Sequence, residues 1–283
     1  MKLSDDMSPE QWLAAREAEV SKLRQPKAQF RSLGRRRGGR GVHGGASYTA
    51  LAVHFGGSTV LHIASLTATD NALISYVGWF KCAHADVSSL TLYVSDPTGN
   101  YLAYNLGAQG ADAAHDKIDF QACDAAGAKT LDASCPQGSF PGDQWNCVIA
   151  TLDASDGSGV VYNGNTNTGT VPLATGGAFT NAFNGLSFYI GGDDSGFATA
   201  DFADIRIMPG VDLRTAGDIS VATRRLFVGA NGKPVNPATA TASLGASCML
   251  FSGDATGFAT NQGTGGTFTL TGSLTNAATS PSD

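Results

Sequence analysis

Short runs of alternating or wholly apolar residues, each ended by turn-forming residues, recur from residue 47 to the end of the chain. Alternation with a period of two predicts β-strands, and Gly, Asn and Asp supply the backbone angles that tight turns need. The clearest run is ALISYVGWFKC at 72–82. The others lie at 48–55, 59–64, 90–96, 101–106, 117–123, 144–153, 159–165, 185–192, 198–211, 247–253 and 265–272. The pattern predicts one domain, residues 47–283, made of two packed antiparallel sheets.

Two segments have a helical pattern instead. Residues 1–25 predict an amphipathic helix with Ser8 as N-cap and Pro9 in the first helical position. The second segment is 212–227, for which we expect two or three helical turns. The apolar stripe of the first helix, which we expect to dock on a partner protein, consists of Trp12, Leu13, Val20 and Leu23.

Residues 26–46 are rich in Arg and Gly, have no hydrophobic period, and predict an extended arm. Residues 1–40 hold 10 basic and 5 acidic residues, a net charge of +5, whereas the rest holds 8 basic and 19 acidic residues, a net charge of −11. A basic arm on an acidic body indicates an interaction tail. The arginines expected to pair with acidic protein surface are Arg31, Arg35, Arg36, Arg37 and Arg40.

The five cysteines are odd in number and have no C-x-x-C spacing. This favours free thiols in a protein folded in a reducing compartment. A bridge between Cys123 and Cys135 stays open at this stage, because spacing alone does not settle pairing.

Five short motifs occur in a fixed order in the body. They are Trp79 in ISYVGWFKC, Trp145 at the start of WNCVIATLD, Asn163-Gly164, Gly191-Gly192 and the segment Asp204-Ile205-Arg206-Ile207. This order resembles that of laminin-G-like, concanavalin A-like jelly rolls, and the resemblance covers about residues 47–283. The segment from Leu226 onward looks like the C-terminal part of such domains in structural proteins of tailed phages. The resemblance implies an all-β jelly roll in a virion protein.

Carboxylates argue against a glycosidase. Retaining glycosidases place two carboxyl groups about 5 Å apart, and those of this fold carry paired glutamates on one strand. Here the only glutamates are Glu10, Glu17 and Glu19, all in the predicted N-terminal helix. We expect no enzyme activity and no catalytic residues.

A calcium site is the one cofactor hypothesis that the sequence carries. The resemblance implies Ca²⁺ at the rim of the sandwich, held by Asp carboxylates and carbonyl oxygens, which suit a hard cation. The candidates are Asp193, Asp194, Asp201 and Asp204. A solvated acidic loop is the alternative. His54 and His62 lie in alternating runs and are interpreted as ordinary sheet residues.

Glycan binding would use rim loops with Asn side chains and an aromatic residue. The candidates are Asn100, Tyr101, Asn163, Asn165 and Asn167. Loops rich in Asn are also common in any sandwich, so a purely structural role is the alternative.

Together these observations predict a non-enzymatic virion structural protein, assembled in the host cytoplasm without a secretory signal and with no membrane segment. Its arm would anchor an external β-sandwich to major capsid proteins, as a decoration or minor capsid protein, or to tail proteins of a bacteriophage; copies of this chain could also associate. The first alternative is a lectin-like, carbohydrate-binding host-attachment module. The second is a nucleic-acid-binding packaging protein, disfavoured because the body is acidic and the arm lacks aromatic residues apart from Phe30.

Overall fold

The structure, a computed structural model, describes residues 48–68, 73–83, 89–95, 101–108, 116–123, 129–136, 138–153, 158–164, 166–172, 183–192 and 199–283. All strand pairs in these ranges are antiparallel, and the strands form two sheets. The predicted fold class, an all-β antiparallel sandwich, is confirmed. The predicted helix of residues 1–25 and the arm of residues 26–46 lie outside the described residues.

The first sheet, sheet A, contains eight strands. In spatial order they are β10 (Thr166–Pro172), β9 (Ser158–Asn163), β8 (Asn146–Asp153), β3 (Leu73–Cys82), β12 (Ala200–Pro209), β1 (Val53–Phe55) and β15 (Leu274–Asn276), with β13 (Met249–Phe251) also paired to β12. The first half of β12 pairs with β1 and its second half with β13.

The second sheet, sheet B, contains seven strands. In spatial order they are β14 (Thr269–Thr271), β2 (Val60–Ile63), β11 (Ser187–Ile190), β4 (Ser89–Ser95), β5 (Tyr101–Ala108), β6 (Asp116–Cys123) and β7 (Lys129–Ser134). Strands distant in sequence therefore become neighbours, because β11 lies between β2 and β4.

The main hydrophobic core contains side chains from both sheets and is rich in phenylalanine. Phe55 of β1 and Phe202 of β12 meet edge to face with ring centroids 5.0 Å apart. Phe188 of β11 belongs to the same cluster from sheet B. Each aromatic pair adds about 0.5–1.5 kcal/mol beyond the burial of its area. This core holds the two sheets face to face.

The outer face of sheet A is also buried. Along β3, Tyr76 and Phe80 belong to the main core, whereas Val77 and Trp79 belong to a second apolar cluster on the other side of the strand. The segment after β12 supplies the cover, including Phe227. The strands of sheet A therefore carry apolar residues on both faces, because both faces pack against protein.

Two short helices lie in that covering segment. Helix α1 (Val221–Arg224) is a single turn, capped by the Ser220 side chain, so the helix predicted within 212–227 is shorter than expected. Helix α2 (Pro237–Leu244) begins after Asn236, whose side chain accepts from the Ala238 N–H at 2.9 Å. Neither these nor any other helix in the described ranges is long and apolar enough to span a membrane.

All five cysteines lie in the described ranges, and two of them, Cys147 and Cys248, are free thiols. The prediction of free thiols holds for these two. Cys82 and Cys135 are buried. The Cys123–Cys135 bridge that the sequence left open stays open, because the structure does not describe the Cys123 side chain.

Candidate functional site

The outer face of sheet B carries two stacked aromatic rings at the centre of neighbouring strands. His62 of β2 and Tyr189 of β11 are direct cross-strand partners, and their ring centroids lie 4.2 Å apart with an interplanar angle of 20°. Their neighbours along each strand, Leu61, Phe188 and Ile190, belong to the main core. Side chains alternate between the faces of a strand, so both rings stand on the face that points away from the core.

This pair forms a half-buried, amphipathic surface. Both residues are of intermediate exposure, and the next cross-strand neighbour, Thr269 of β14, is exposed. The His62 Nε2 atom is out of contact with solvent and has no hydrogen-bond partner among the described residues. This nitrogen is therefore not exposed at the surface of the pair.

A second polar cluster lies on sheet A, around Asp204. The register of β12 shifts between Ala203 and Arg206, and Asp204 takes a left-handed backbone conformation with φ of 48°. Such a bulge re-aims a side chain. The Tyr48 hydroxyl donates to both Asp204 carboxylate oxygens at 2.8 and 2.9 Å, and the Ser252 hydroxyl donates at 2.7 Å.

The environment of Asp204 makes its ionised form costly. The carboxyl is 8% exposed, and burial raises its pKa to about 6, against the opposing effect of the donors Ser252 and Tyr48 and of the Arg206 charge. Arg206 is itself 2% exposed and donates through Nη2 to Pro237 O and Thr241 Oγ1. These contacts connect β12 to the segment before β1, to the residue after β13 and to α2, so Asp204 and Arg206 have a structural role.

The part of the chain that is described contains no cluster of metal-binding side chains that would support the calcium hypothesis. No group of three or more His, Cys, Asp or Glu residues there could hold a metal ion. Asp201 is paired with His54 across β1 and β12 at 2.7 Å, and Asp204 is occupied as above. Asp193 and Asp194 lie outside the described residues, so their part of the hypothesis stays a prediction.

Of the five predicted glycan residues, the structure describes the side chain of Asn163, so the glycan set as a whole stays a prediction. Asn163 ends β9, and its amide nitrogen donates to Ser139 O and Asn146 Oδ1, while its oxygen accepts from the Cys147 N–H. Its hydrogen-bonding capacity therefore serves the β8–β9 region itself. Tyr101 begins β5 in sheet B, and Asn167 lies in β10 at the edge of sheet A. Asn100 and Asn165 lie outside the described residues.

The predicted anchor residues all lie outside the described residues and stay predictions. They are Trp12, Leu13, Val20, Leu23, Arg31, Arg35, Arg36, Arg37 and Arg40.

One open cleft offers an alternative location for a ligand. A cleft of about 330 Å³ lies between the loop after β2, the end of β12 and the segment before β13, with Thr67, Val211 and Cys248 among its lining residues. The described residues that line it carry hydroxyl groups and a thiol, and none of these described residues is charged or aromatic. Burial raises the pKa of the Cys248 thiol to about 11, which leaves it a poor nucleophile. The aromatic pair on sheet B is therefore the better candidate site.

Comparison with known proteins gives matches only at the level of structure. No family model and no curated protein sequence matches the chain. Among solved structures, a SAP-like pentraxin from Limulus polyphemus is similar at 14% identity and a TM-score of 0.42, covering 56% of this chain and 76% of the pentraxin. Mouse laminin α1 domains LG4-5 give 13% identity and a TM-score of 0.42, covering 60% of this chain and 46% of that one.

A third structure, a candidate carbohydrate-binding protein from Bacteroides ovatus, gives 12% identity and a TM-score of 0.49, with 82% of this chain and 62% of that chain covered. The chain thus spans less than two thirds of the laminin and Bacteroides structures. All three TM-scores lie below 0.5, and the likeness concerns the fold alone.

Proposed function

We propose that the sandwich is a non-catalytic module that binds carbohydrate on the outer face of sheet B. The observation that carries the proposal is the cross-strand stack of His62 and Tyr189, 4.2 Å apart on the face opposite the core. Sugars present C–H faces that pack on aromatic surface, together with hydroxyl groups that need polar neighbours. An aromatic surface beside an exposed hydroxyl, that of Thr269, suits both requirements.

The arrangement of the two sheets supports this location. Sheet A is covered on its outer side by the segment that contains Ile219 and Phe227, so its broad face is taken up by the protein itself. Sheet B leaves Thr269 exposed and the ring pair half-buried. Two of the matched structures bear carbohydrate-binding descriptions, but at TM-scores below 0.5 they carry no weight here, and the proposal rests on this surface.

The non-catalytic part of the proposal rests on carboxylates. The sequence has no glutamate after Glu19. Of the aspartates predicted to matter, Asp201 pairs with His54 and Asp204 accepts from Tyr48 and Ser252. Such carboxylates are committed to holding strands together and are poorly placed to act as an acid and base pair across a glycosidic bond.

A glycan array probed with the full chain, followed by calorimetric titration of the best ligand, tests the proposal. Tyr189→Ala and His62→Ala should each weaken binding by about tenfold or more, the equivalent of ~1.4 kcal/mol. His54→Ala is the matched control, since it removes a half-exposed strand histidine from sheet A instead. Failure of the array to yield any reproducible ligand, or equal affinity in all variants, would refute the proposal.

We propose particle attachment as a second function, on the strength of the charge distribution. The first 40 residues carry a net charge of +5 and the remainder −11, so the basic arm is suited to acidic protein surface. The arm would anchor the module to a phage-like virion through capsid or tail proteins. The module would then bind host glycans. Deletion of residues 1–45 should abolish co-purification with particles; full incorporation of the truncated protein would contradict the anchor. Salt-dependent binding of the arm to nucleic acid would instead favour the packaging alternative.

A further inference from the structure

We infer that one ordered water molecule binds in a narrow cleft on the outer side of sheet A, between the Arg206 guanidinium and the Asp204 carboxylate. The site lies on the other sheet from the proposed carbohydrate site and is independent of it. A cleft of the right size, a buried charged donor and a carboxylate with acceptor capacity meet at this place.

The bulge in β12 brings the two charged residues to one cleft. Ile205 and Ile207 belong to the main core. Because side chains alternate along a strand, Arg206 between them faces the outer side of sheet A. The register of β12 shifts between Ala203 and Arg206, and Asp204, the residue after Ala203, lines the same cleft as Arg206.

The cleft has room for a single water molecule. Its volume is about 20 Å³, and a cavity of about 10–15 Å³ is enough to hold one water. The other described residues that line it are hydrophobic, among them Val77, Trp79 and Val235. Protein interiors are close-packed, so a larger ligand would require these walls to move apart.

Arg206 supplies a donor that the described part of the chain leaves unsatisfied. The side chain is 2% exposed, and its Nη2 atom donates to Pro237 O and Thr241 Oγ1. Its Nη1 atom is out of contact with solvent and has no hydrogen-bond partner among the described residues. A charged donor left unpaired in the interior costs more free energy than a neutral one. A water molecule that accepts from Nη1 removes this cost.

Asp204 has acceptor capacity left for the same water molecule. Its Oδ1 atom accepts from Tyr48 and Ser252, and its Oδ2 atom accepts from the same Tyr48 hydroxyl. A carboxylate offers about four acceptor positions, so this set does not fill it. A water between the two side chains donates to Asp204 and accepts from Arg206, and two polar partners are enough to hold it. A halide ion has no proton to donate and is repelled by the carboxylate, so the site favours water.

A crystal structure of the full chain, grown at pH 7.5 and soaked in sodium bromide, tests the inference. We expect one density peak about 2.7–3.2 Å from both Arg206 Nη1 and an Asp204 carboxylate oxygen, without the anomalous signal of bromide. The absence of a peak, or a bromide signal at that position, would overturn the inference.

Filling the cleft gives a second readout, in solution. Val235→Ile adds one methylene group to the wall and should exclude the water, which leaves Nη1 unpaired and lowers the thermal midpoint by about 2–4 °C. In an Arg206→Met background no donor is left unpaired, so the same change should be neutral or raise the midpoint. An equal loss in both backgrounds would indicate overpacking alone and overturn the inference. Val221→Ile, at a side chain that is 57% exposed, is the matched control and should leave the midpoint unchanged.

The Arg206→Met variant also loses both Nη2 hydrogen bonds, so its far-ultraviolet circular dichroism is first compared with that of the parent. If this variant does not fold, the crystal structure of Val235→Ile decides instead. The density peak should disappear there, while the Nη2 contacts with Pro237 and Thr241 remain. A peak that persists beside Ile at position 235 would show that the cleft is not a one-water site.

Discussion

Replacing Asp204 by Asn should change how the stability of the protein depends on pH. In the folded protein, burial raises the pKa of Asp204 from 3.8 to about 6, and the side chain is 8% exposed, so solvent screens it little. Between these two pKa values the folded state keeps a proton that the unfolded state has lost. The stabilising contribution is therefore fully present below pH 3.8 and is lost as the pH rises through about 6.

The magnitude follows from the size of the shift. A difference of about two pKa units at ~1.4 kcal/mol per unit corresponds to about 3 kcal/mol of unfolding free energy lost between acidic and neutral pH through this one group. Asn has nearly the same shape and does not titrate. The free energy of unfolding of Asp204→Asn relative to the parent should therefore rise by about 2.4 kcal/mol between pH 4 and 7.5, less than the full ~3 kcal/mol because the unfolded carboxyl is already partly ionised at pH 4. Any constant offset from altered hydrogen bonds to Tyr48 or Ser252 leaves this slope unchanged.

Urea denaturation at several pH values, followed by fluorescence, measures the difference. Asp254→Asn is the control, because hydrogen bonds from the Thr256 hydroxyl and N–H lower the pKa of this exposed carboxyl, which moves its titration below the range used. The unfolding free energy of the control should change with pH in the same way as that of the parent from pH 4 to 7.5. If Asp204→Asn also runs parallel to the parent, the carboxyl is not held in a costly ionised form and the reasoning about its burial is wrong.

Three further changes test other parts of the structure. Tyr48→Phe removes the hydroxyl that donates to Asp204 at 2.8 Å. It should lower the free energy of unfolding by about 1–3 kcal/mol at pH 7.5 and by less at pH 4.5. Equal losses of unfolding free energy at both pH values would contradict the contact. Gly191→Ala should destabilise by more than about 2 kcal/mol in thermal unfolding, because the position has φ of 85° and a Cβ there would come within 2.7 Å of Phe55 Cε1; a neutral effect would be inconsistent with this packing. Cys248, whose pKa is about 11, should react with iodoacetamide at pH 8 far more slowly than a free thiol, and rapid alkylation would speak against its burial.

The sequence predicts strands well where their patterns are strong. The run at 72–82 becomes β3, Leu73–Cys82, because a long apolar segment with β-branched and aromatic residues suits a strand buried on both faces. The sequence does not predict strands whose apolar pattern is weak. Strand β10, Thr166–Pro172, has a single bulky apolar residue, Val171, and is held mainly by its pairing with β9. Short strands of this kind depend on neighbours that only the tertiary structure supplies.

Helix α2 was not predicted, although the sequence contains signals for its start and its end. Asn236 and Pro237 mark a helix start, and Gly245 marks its end with φ of 86°. The helix itself consists of Pro, Ala, Thr, Ser and one Leu, so it has no apolar stripe to reveal it. The predicted helix within 212–227 shrinks to the single turn Val221–Arg224, because most of that segment packs on sheet A as irregular structure.

The candidate site lay beyond sequence reasoning for a topological reason. The strand alternation around His62 predicts a sheet residue, as the structure has it, but its partner Tyr189 lies 127 positions later in the chain. No local pattern states that β11 inserts between β2 and β4. The Asn-rich loops can be recognised from their residue types alone, whereas the contact between His62 and Tyr189 exists only once β2 and β11 are paired.

The adjacent positions of β1 and β15 have a mechanical consequence. These are the first and last strands of the described chain, and they pair antiparallel with Val53 opposite Asn276 and Phe55 opposite Leu274. A force that pulls the chain apart at its two ends acts at the Val53–Asn276 end of the pair and opens its hydrogen bonds one after another, as a zipper opens. Contacts of the flanking residues also hold that end, among them the Ala50 N–H to Ser282 Oγ bond at 2.9 Å and the Ala277 N–H to Ala52 O bond at 3.0 Å. Because these strand ends meet, a circularly permuted chain with a short linker joining them should retain the same sheet order.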